Sequence, residues 1–580
     1  MEDNNISRKD FLCKSALVAA GIVLLPNFIS CSDEGIEESL LEGGENLSLD
    51  KINFDSGVAS FDPTTSQVII WTRYTTQNDS ASIVWEIAAN AGFDPIIRTG
   101  EVTTDASRDY TLAIEVRDLD PGEKYYYRFI NKKDQAVSDT GETITFTLSA
   151  TAVKLAVCSC ANYEAGFFNV YKAMAASDAD VIVHLGDYIY ENAPGQTGGT
   201  PYPEGLGREP DPPRETISLE DYRQRYRQYR ADGDLQLAHQ KKPFICVWDD
   251  HELANGAWEN GAMNHNNGEG SFQARKEAAV KAYSEYLPVS TSDPFRIYRT
   301  MNLGGIVDLH MIDTRQVGRN RQLEYKNYVN NKGEFDAENF KADLWRSGRT
   351  MLGTTQRNWL VSQVQSSSMK WNVLGQQGLM SKVLVPAEAV LSLDSLLAEV
   401  AANGQLSAET AQKFKQQLTE LILIKTKYLQ GGKSLTAEEI SRITNIIPYN
   451  LDAWDGYPAE REYLYQAFAE KKILSLAGST HNAWFNKLRK GENEILGDEF
   501  ATSSISSPGF EGFLGKDPLV IMQFEQALQL LVDDVKFLDA SRRGYVEITF
   551  TPSDVHADWI FVHDVASKDS SSSTGHSENI

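Results

Sequence analysis

Basic residues are scarce in this chain. Its 580 residues hold 55 Lys and Arg against 81 Asp and Glu, a formal net charge of −26. That balance excludes broad nucleic-acid affinity, because few cations are available to displace counterions along a phosphate backbone. A phosphate ester would have to be captured locally, by metal ions or by a small basic pocket. Cysteine is also sparse, with five in all, at 13, 31, 158, 160 and 246. Two of these fall in the leader, and the remaining three make no disulfide framework. The apolar run from Ala16 to Leu25 is too short to span a bilayer. What is left is an ordinary soluble composition, 41% hydrophobic and 23% charged. The chain is too long for one core, so two or more domains are expected.

The first 31 residues read as an export signal. Arg8, Lys9 and Lys14 precede the short apolar run, as in a signal peptide. The segment from Ser7 to Leu12 resembles a twin-arginine signal with Lys in the second basic place. Phe28-Ile29-Ser30-Cys31 resembles a lipobox, which would leave Cys31 lipidated as an anchor in the outer membrane or at the cell surface. An ordinary cleaved signal with Cys31 incidental is the alternative; either way export to the periplasm or beyond is expected. Residues 32–50 are acidic and aperiodic, and read as a tether.

From 51 to 150 the pattern is of short alternating strands rich in β-branched and aromatic residues, such as Gln67 to Tyr74 and Tyr125 to Ile130. Leu119 to Tyr125 resembles the turn before a strand in fibronectin type III-like sandwiches, where a Tyr hydroxyl ties back to the preceding loop. From 151 to 566 strands alternate with helical segments, so a second, α/β domain is expected. Its helix around Leu219 to Gln240 alternates Arg and Tyr; Tyr222, Tyr226 and Tyr229 share one face and should pack, leaving the arginines solvated or salt-bridged. Asn192 to Thr216, rich in Gly and Pro, reads as a loop bordering the site. Residues 381–445 read as a helical insertion and a candidate lid, and the Ser-rich 567–580 as a disordered tail.

The chemistry-bearing residues cluster at strand ends. Val153 to Cys160 ends in a thiol, and Asp180 to Glu191 carries Asp187 and Tyr190 just past an apolar run. Phe244 to Trp248 leads into Asp249-Asp250-His251-Glu252. Open α/β sheets build their sites at such strand ends. Asp187 and Tyr190 can face one hard ion, with Asp187 reaching a second through its other oxygen. A phenol suits ferric iron better than a divalent ion, and Cys160 would offer a thiolate to the same ion. His481 follows the apolar run Ile473 to Ala477 through a Gly turn, and it is one of only nine histidines. Taken singly, a buried Cys or Tyr is more often packing; two His at strand ends strengthen the joint case.

Together these motifs resemble the PhoD-like alkaline phosphatases and phosphodiesterases, within the calcineurin-like metallophosphoesterases. The resemblance runs through C-A-N-Y-E-A-G-F-F (160–168), H-L-G-D-Y-I-Y-E (184–191), D-Y-R-Q-R-Y (221–226) and V-W-D-D-H-E (247–252). It continues in D-T-R (313–315), Q-R-N-W-L (356–360), W-D-G-Y-P-A-E-R (454–461), G-x-T-H-x-x-W (478–484) and R-G-Y (543–545). It implies a fibronectin-III-like β-sandwich followed by an α/β metallophosphoesterase domain. It also implies Fe3+ held by Cys160, Asp187, Tyr190 and His481, with Asp187 bridging to Ca2+ on Asp250. His251 would donate a proton to the leaving group, Asn255 would contact the second metal or the phosphate, and Asp249 would orient ligands. Arg315 is left between substrate contact and an internal salt bridge. The implied reaction is attack of a metal-held hydroxide on the phosphorus of a small mono- or diester.

One position departs from the pattern. The family's G-D-x-H has an Asp where this chain has Ser479, removing a negative charge from the second metal's surroundings. Calcium would then bind weakly, be replaced by another ion, or draw a ligand from Glu252 or a nearby loop. Two rival readings remain: a phospholipase D-type enzyme with apolar insertion residues facing the site, or a surface binding protein with a weakened site.

Overall fold

A computed structural model describes residues 53–196, 205–403 and 407–580. The leader and the tether lie outside these. Two large sheets stack on one core. The nine-stranded sheet runs, in spatial order, Ser572–Asn579, Val555–Val562, Gly544–Phe550, Val153–Cys158, Val181–His184, Phe244–Cys246, Val58–Phe61, Val68–Arg73 and Thr111–Val116. The seven-stranded sheet has Ile473–Ala477 at its centre, parallel to Trp371–Gly375 on one side and Glu494–Ala501 on the other. Leu155, Val157 and Ile182 of the first sheet share a core with Leu309, Val373 and Leu474 of the second. The indoles of Trp371 and Trp559 each donate to a backbone carbonyl, of Thr551 and Ala501, tying the layers.

Of the strands that lead into the site, Val181–His184, Phe244–Cys246 and Ile473–Ala477 are buried along their whole length, and Val153–Cys158 is buried except at Lys154. A parallel strand covered on both faces needs a continuous apolar run, and these segments supply it. All of them end at the same edge of the molecule, where their loops converge.

The N-terminal unit differs from a self-contained sandwich. Five of its strands form one antiparallel sheet around Ser80–Ala88 and Lys124–Asn131. The opposing layer, Val58–Phe61, Val68–Arg73 and Thr111–Val116, extends the nine-stranded sheet through a parallel bridge from Phe61 to Phe244. That pairing supplies partners for backbone groups that Phe244–Cys246 would otherwise leave open at a sheet edge. The two units therefore share a sheet across residue 150. Within the smaller one, the Tyr125 hydroxyl accepts from the Asp120 amide and donates to the Asp120 carbonyl, the tie-back the turn suggested.

The segment after Ala566 is not a disordered tail. Ser572–Asn579 is an edge strand paired antiparallel with Val555–Val562, and His576 stacks 3.9 Å over Phe537. Backbone pairing and the contacts of His576 with Phe537 and Trp559 hold a strand that its polar composition hid; a Ser-rich edge exposed to water needs no apolar side chains of its own. The 381–445 region contains the helices Ala387–Asn403, Ala408–Leu429 and Ala437–Thr444, framed by a two-stranded ribbon of Leu384–Pro386 and Ile446–Pro448. It packs on the helix Pro518–Leu531 through Leu421, Ile424 and Ile443 against Ile521, Phe524 and Leu528. Among the described residues no helix is long and apolar enough to cross a membrane.

Candidate active site

Four residues at the converging loops hold left-handed backbone without being glycine: Cys160 (φ 62°), Asp187 (φ 54°), Ser479 (φ 62°) and His481 (φ 59°). Such conformations cost of order 1–3 kcal/mol each and persist only where the surroundings over-determine them. Here the loops are locked to each other. The Cys160 amide donates to the Gly186 carbonyl (3.1 Å) and the Ala161 amide to that of Asp187 (2.8 Å). Gly186 (φ 105°) has no room for a side chain, because a Cβ there would stand 2.4 Å from the Asp249 nitrogen. Glu252 clasps the same turn from the other side, accepting from the amides of Asp187 (2.9 Å), Tyr188 and Asp249 (2.7 Å). Both its oxygens accept backbone amides, so Glu252 is committed to holding these turns.

The first donor cluster joins Cys160, Asp187 and His481, with ligand atoms within 4.8 Å of one another. Tyr190 belongs with them: its hydroxyl lies 3.0 Å from Asp187 Oδ2 and 3.2 Å from His481 Nε2. His481 Nδ1 lies 2.8 Å from the Pro508 carbonyl, a donor contact that turns the Nε2 lone pair inward. Burial lowers its pKa to about 4, so the ring is neutral, as a metal ligand must be. Burial, then the neighbouring Asp187 and Asp249, push the Cys160 thiol well above its ordinary range. Thiol, phenol, carboxylate and neutral imidazole make a donor set suited to ferric iron.

The second cluster joins Asp187, Asp250 and His251, again within 4.8 Å. Asp187 is thus common to both. Burial and then Asp249 raise the Asp187 pKa well above normal, the response of a carboxylate crowded with others away from water. His251 stacks on Tyr190 at 4.2 Å and holds Glu191 Oε2 at 2.6 Å through Nδ1. Burial opposes charge on His251, but Glu191, Asp187 and Asp250 overcome it and raise its pKa well above normal. Burial likewise opposes charge on Glu191, yet His251 and the donors Asn264 and the Asn255 amide bring it down to about 2.

Arg315 is an internal salt bridge. Its fully buried guanidinium contacts Asp249 at 2.5 Å and Asp452 at 2.8 Å, with Asp250 at 3.6 Å. Asp249 therefore orients Arg315 and, through its Oδ1, the Asp250 amide. Its other oxygen is buried without a hydrogen-bond partner. Ser479 is half-buried and brings no carboxylate. The helix Leu219–Arg230 contributes from behind. Tyr222, Tyr226 and Tyr229 are buried, while Arg225, buried rather than solvated, donates to the carbonyls of Tyr190, Asn192, Pro212 and Arg214.

Above the clusters opens a cavity of about 820 Å³ lined by Tyr190, His251, Asn255 and His481, with Asn192, Gly195 and Gln196 of the expected bordering loop. No residue of 381–445 lines it, so among the described residues the insertion is not its lid. Sequence reasoning missed Glu191 and Ser507. Glu191 stood one residue past Tyr190 in an already suspect motif. Ser507 lies 2.7 Å from the Tyr190 hydroxyl, in a Ser-Pro-Gly turn that carried no chemical signal.

A family model described as PhoD-like phosphatase matches residues 155–559, and one for the N-terminal domain of PhoD-like phosphatases matches 42–147. Alkaline phosphatase D of Bacillus subtilis (strain 168) is 29% identical over 531 residues, which cover 87% of this chain and 77% of that protein. A solved structure described as "Structure of PhoD" superposes with a TM-score of 0.71 at 26% identity, covering 92% of this chain and 91% of that one.

Proposed function

Given that the chain belongs to the PhoD-like phosphatase family and is a hydrolase of phosphoric esters, we propose that it works with two metal ions sharing Asp187. Cys160, Asp187, Tyr190 and His481 would hold Fe3+, and Asp187 and Asp250 a second ion, Ca2+ by family resemblance. The observation that carries this reading is the pair of buried donor clusters with Asp187 in common, beneath a cavity lined by no Lys or Arg among the described residues. His251 is paired with Glu191, and Glu215 and Glu269 line the wall, so without further cations at its floor such a cavity would repel a phosphate. The buried, partnerless oxygen of Asp249 and the raised pKa of Asp187 are what an anion-rich centre built for cations should show.

When bound, the metals would neutralise the phosphate oxygens and ease deprotonation of a water. The chain's own residues do the rest. Glu191 fixes the His251 ring through Nδ1, leaving Nε2–H to protonate the departing alkoxide. Asn255, whose amide is anchored on Glu191 while its side chain reaches the cavity, offers a donor to a phosphate oxygen. Arg315 holds Asp249 and neighbours Asp250 without touching substrate. The substrate is a small phosphomonoester or phosphodiester. The phospholipase D-type reading loses its support, because no insertion residue lines the cavity. Export as a lipoprotein anchored at Cys31 completes the proposal; palmitate labelling that Cys31→Ala abolishes would support it.

The test is hydrolysis of an aryl monoester and an aryl diester by purified protein before and after chelation. Turnover that chelation removes and iron with calcium restores is expected. Turnover indifferent to chelation would sink the two-metal reading. Protein that neither carries stoichiometric metal nor turns over either ester would favour the weakened-site binding protein, whose specific support is Ser479.

A further inference from the structure

The cavity is far larger than a phosphate, and its outer wall is built differently from its floor. Its volume of about 820 Å³ leaves room for an alcohol beyond the phosphorus. Lining that space are Asn192 and Gln196, Asn264 with its Nδ2 given to Glu191 and Asn192, and the acids Glu215 and Glu269. The two acids keep 17% and 21% of their side chains exposed, whereas Arg275, 2.8 and 3.3 Å from them, keeps none. Arg275 also donates to the Asn264 carbonyl and the Tyr222 hydroxyl, which hold it behind the wall. Two carboxylates face one recessed guanidinium, with the His265 ring 3.5 Å from Glu269, and negative charge is left in excess at the opening.

We propose that this wall is a charge filter on the alcohol half of the ester. It accepts uncharged groups that hydrogen-bond to amides, and it turns away esters carrying a further anion. The inference rests on the phosphoesterase reading and narrows its substrate class. The phosphate itself is met by the metal floor, but a second anion on the alcohol would lie against Glu215 and Glu269, between walls of low dielectric. Like charges set against an unwanted partner are a common way to gain specificity.

The test uses the metal-loaded protein and two matched p-nitrophenyl phosphodiesters, the second alcohol being glycerol in one and the carboxylate-bearing glycerate in the other. The ratio of kcat/KM for nitrophenol release is the readout. The glycerol ester should be preferred by about tenfold at low salt, with the preference shrinking as ionic strength rises. In Glu215→Gln/Glu269→Gln that ratio should fall by about threefold or more. Glu269→Gln alone, which keeps a side chain able to bond Asn266, covers the case in which the double variant does not fold. A native ratio near one, or a ratio unmoved in the variants, overturns the filter alone. Failure of the native protein to turn over either ester overturns the phosphoesterase reading and the filter together.

Discussion

The two halves of the donor centre share Asp187 and little else. The first half has four different donor types, drawn from three loops that are held in left-handed backbone and zipped together. The second half has Asp187, Asp250 and a histidine whose other nitrogen is already tied to Glu191, with a neutral hydroxyl at 479. Backbone strain is concentrated where donors must converge from several directions, and the well-furnished half has most of it. The lesson is that one site can be over-determined on one side and under-supplied on the other. The two metals of the proposed centre should therefore differ in how tightly they are held.

Removing the shared residue should erase that difference. Asp187→Asn is expected to cost on the order of 10³-fold in kcat/KM, with both metals lost by elemental analysis; retention of either would show that the halves are independent. His251→Gln comes next, at about 10²–10³-fold, with metal content unchanged. If the second metal disappears in that variant, His251 is a ligand and its role as proton donor falls. Glu191→Gln should cost about 10–100-fold by loosening His251.

Glu191 also makes a pH prediction for the metal-free protein. Its folded pKa of about 2 lies below the ordinary 4.5. Its contribution is therefore present above pH 4.5 and lost as pH falls towards 2, on the order of 3 kcal/mol. Denaturant midpoints of the native protein and Glu191→Gln should converge at low pH and separate near neutrality. Parallel curves would show the pair to be energetically idle. The smallest effect should come from Ser479→Asp, which adds the carboxylate the second half lacks: a gain of about threefold at limiting calcium. Equal activity at every calcium level would show that position 479 does not reach the metal.

Much of the centre was legible because parallel strands announce themselves as unbroken apolar runs, and their ends carry the donors. Cys160, Asp187, Asp250 and His481 all follow such runs, and the structure brings them together. What stayed hidden depended on partners distant in sequence. Arg225 reads as a solvated helix charge until the loop it clamps is seen. The sheet shared through Phe61 and Phe244 leaves no mark on either segment, since a backbone pairing has no side-chain signature. The edge strand Ser572–Asn579 was obscured for the same reason. Glu252 looked free to bind a metal because its three amide partners are themselves part of the turns it holds.

In the proposed centre, Cys160, Asp187, Tyr190 and His481 would hold ferric iron. Iron analysis with the visible spectrum of the purified, active protein tests it most directly. Near-stoichiometric iron with a tyrosinate- or thiolate-to-iron absorption band, lost in Tyr190→Phe, is the result expected. A colourless, iron-free protein that hydrolyses aryl phosphodiesters at full rate would contradict it.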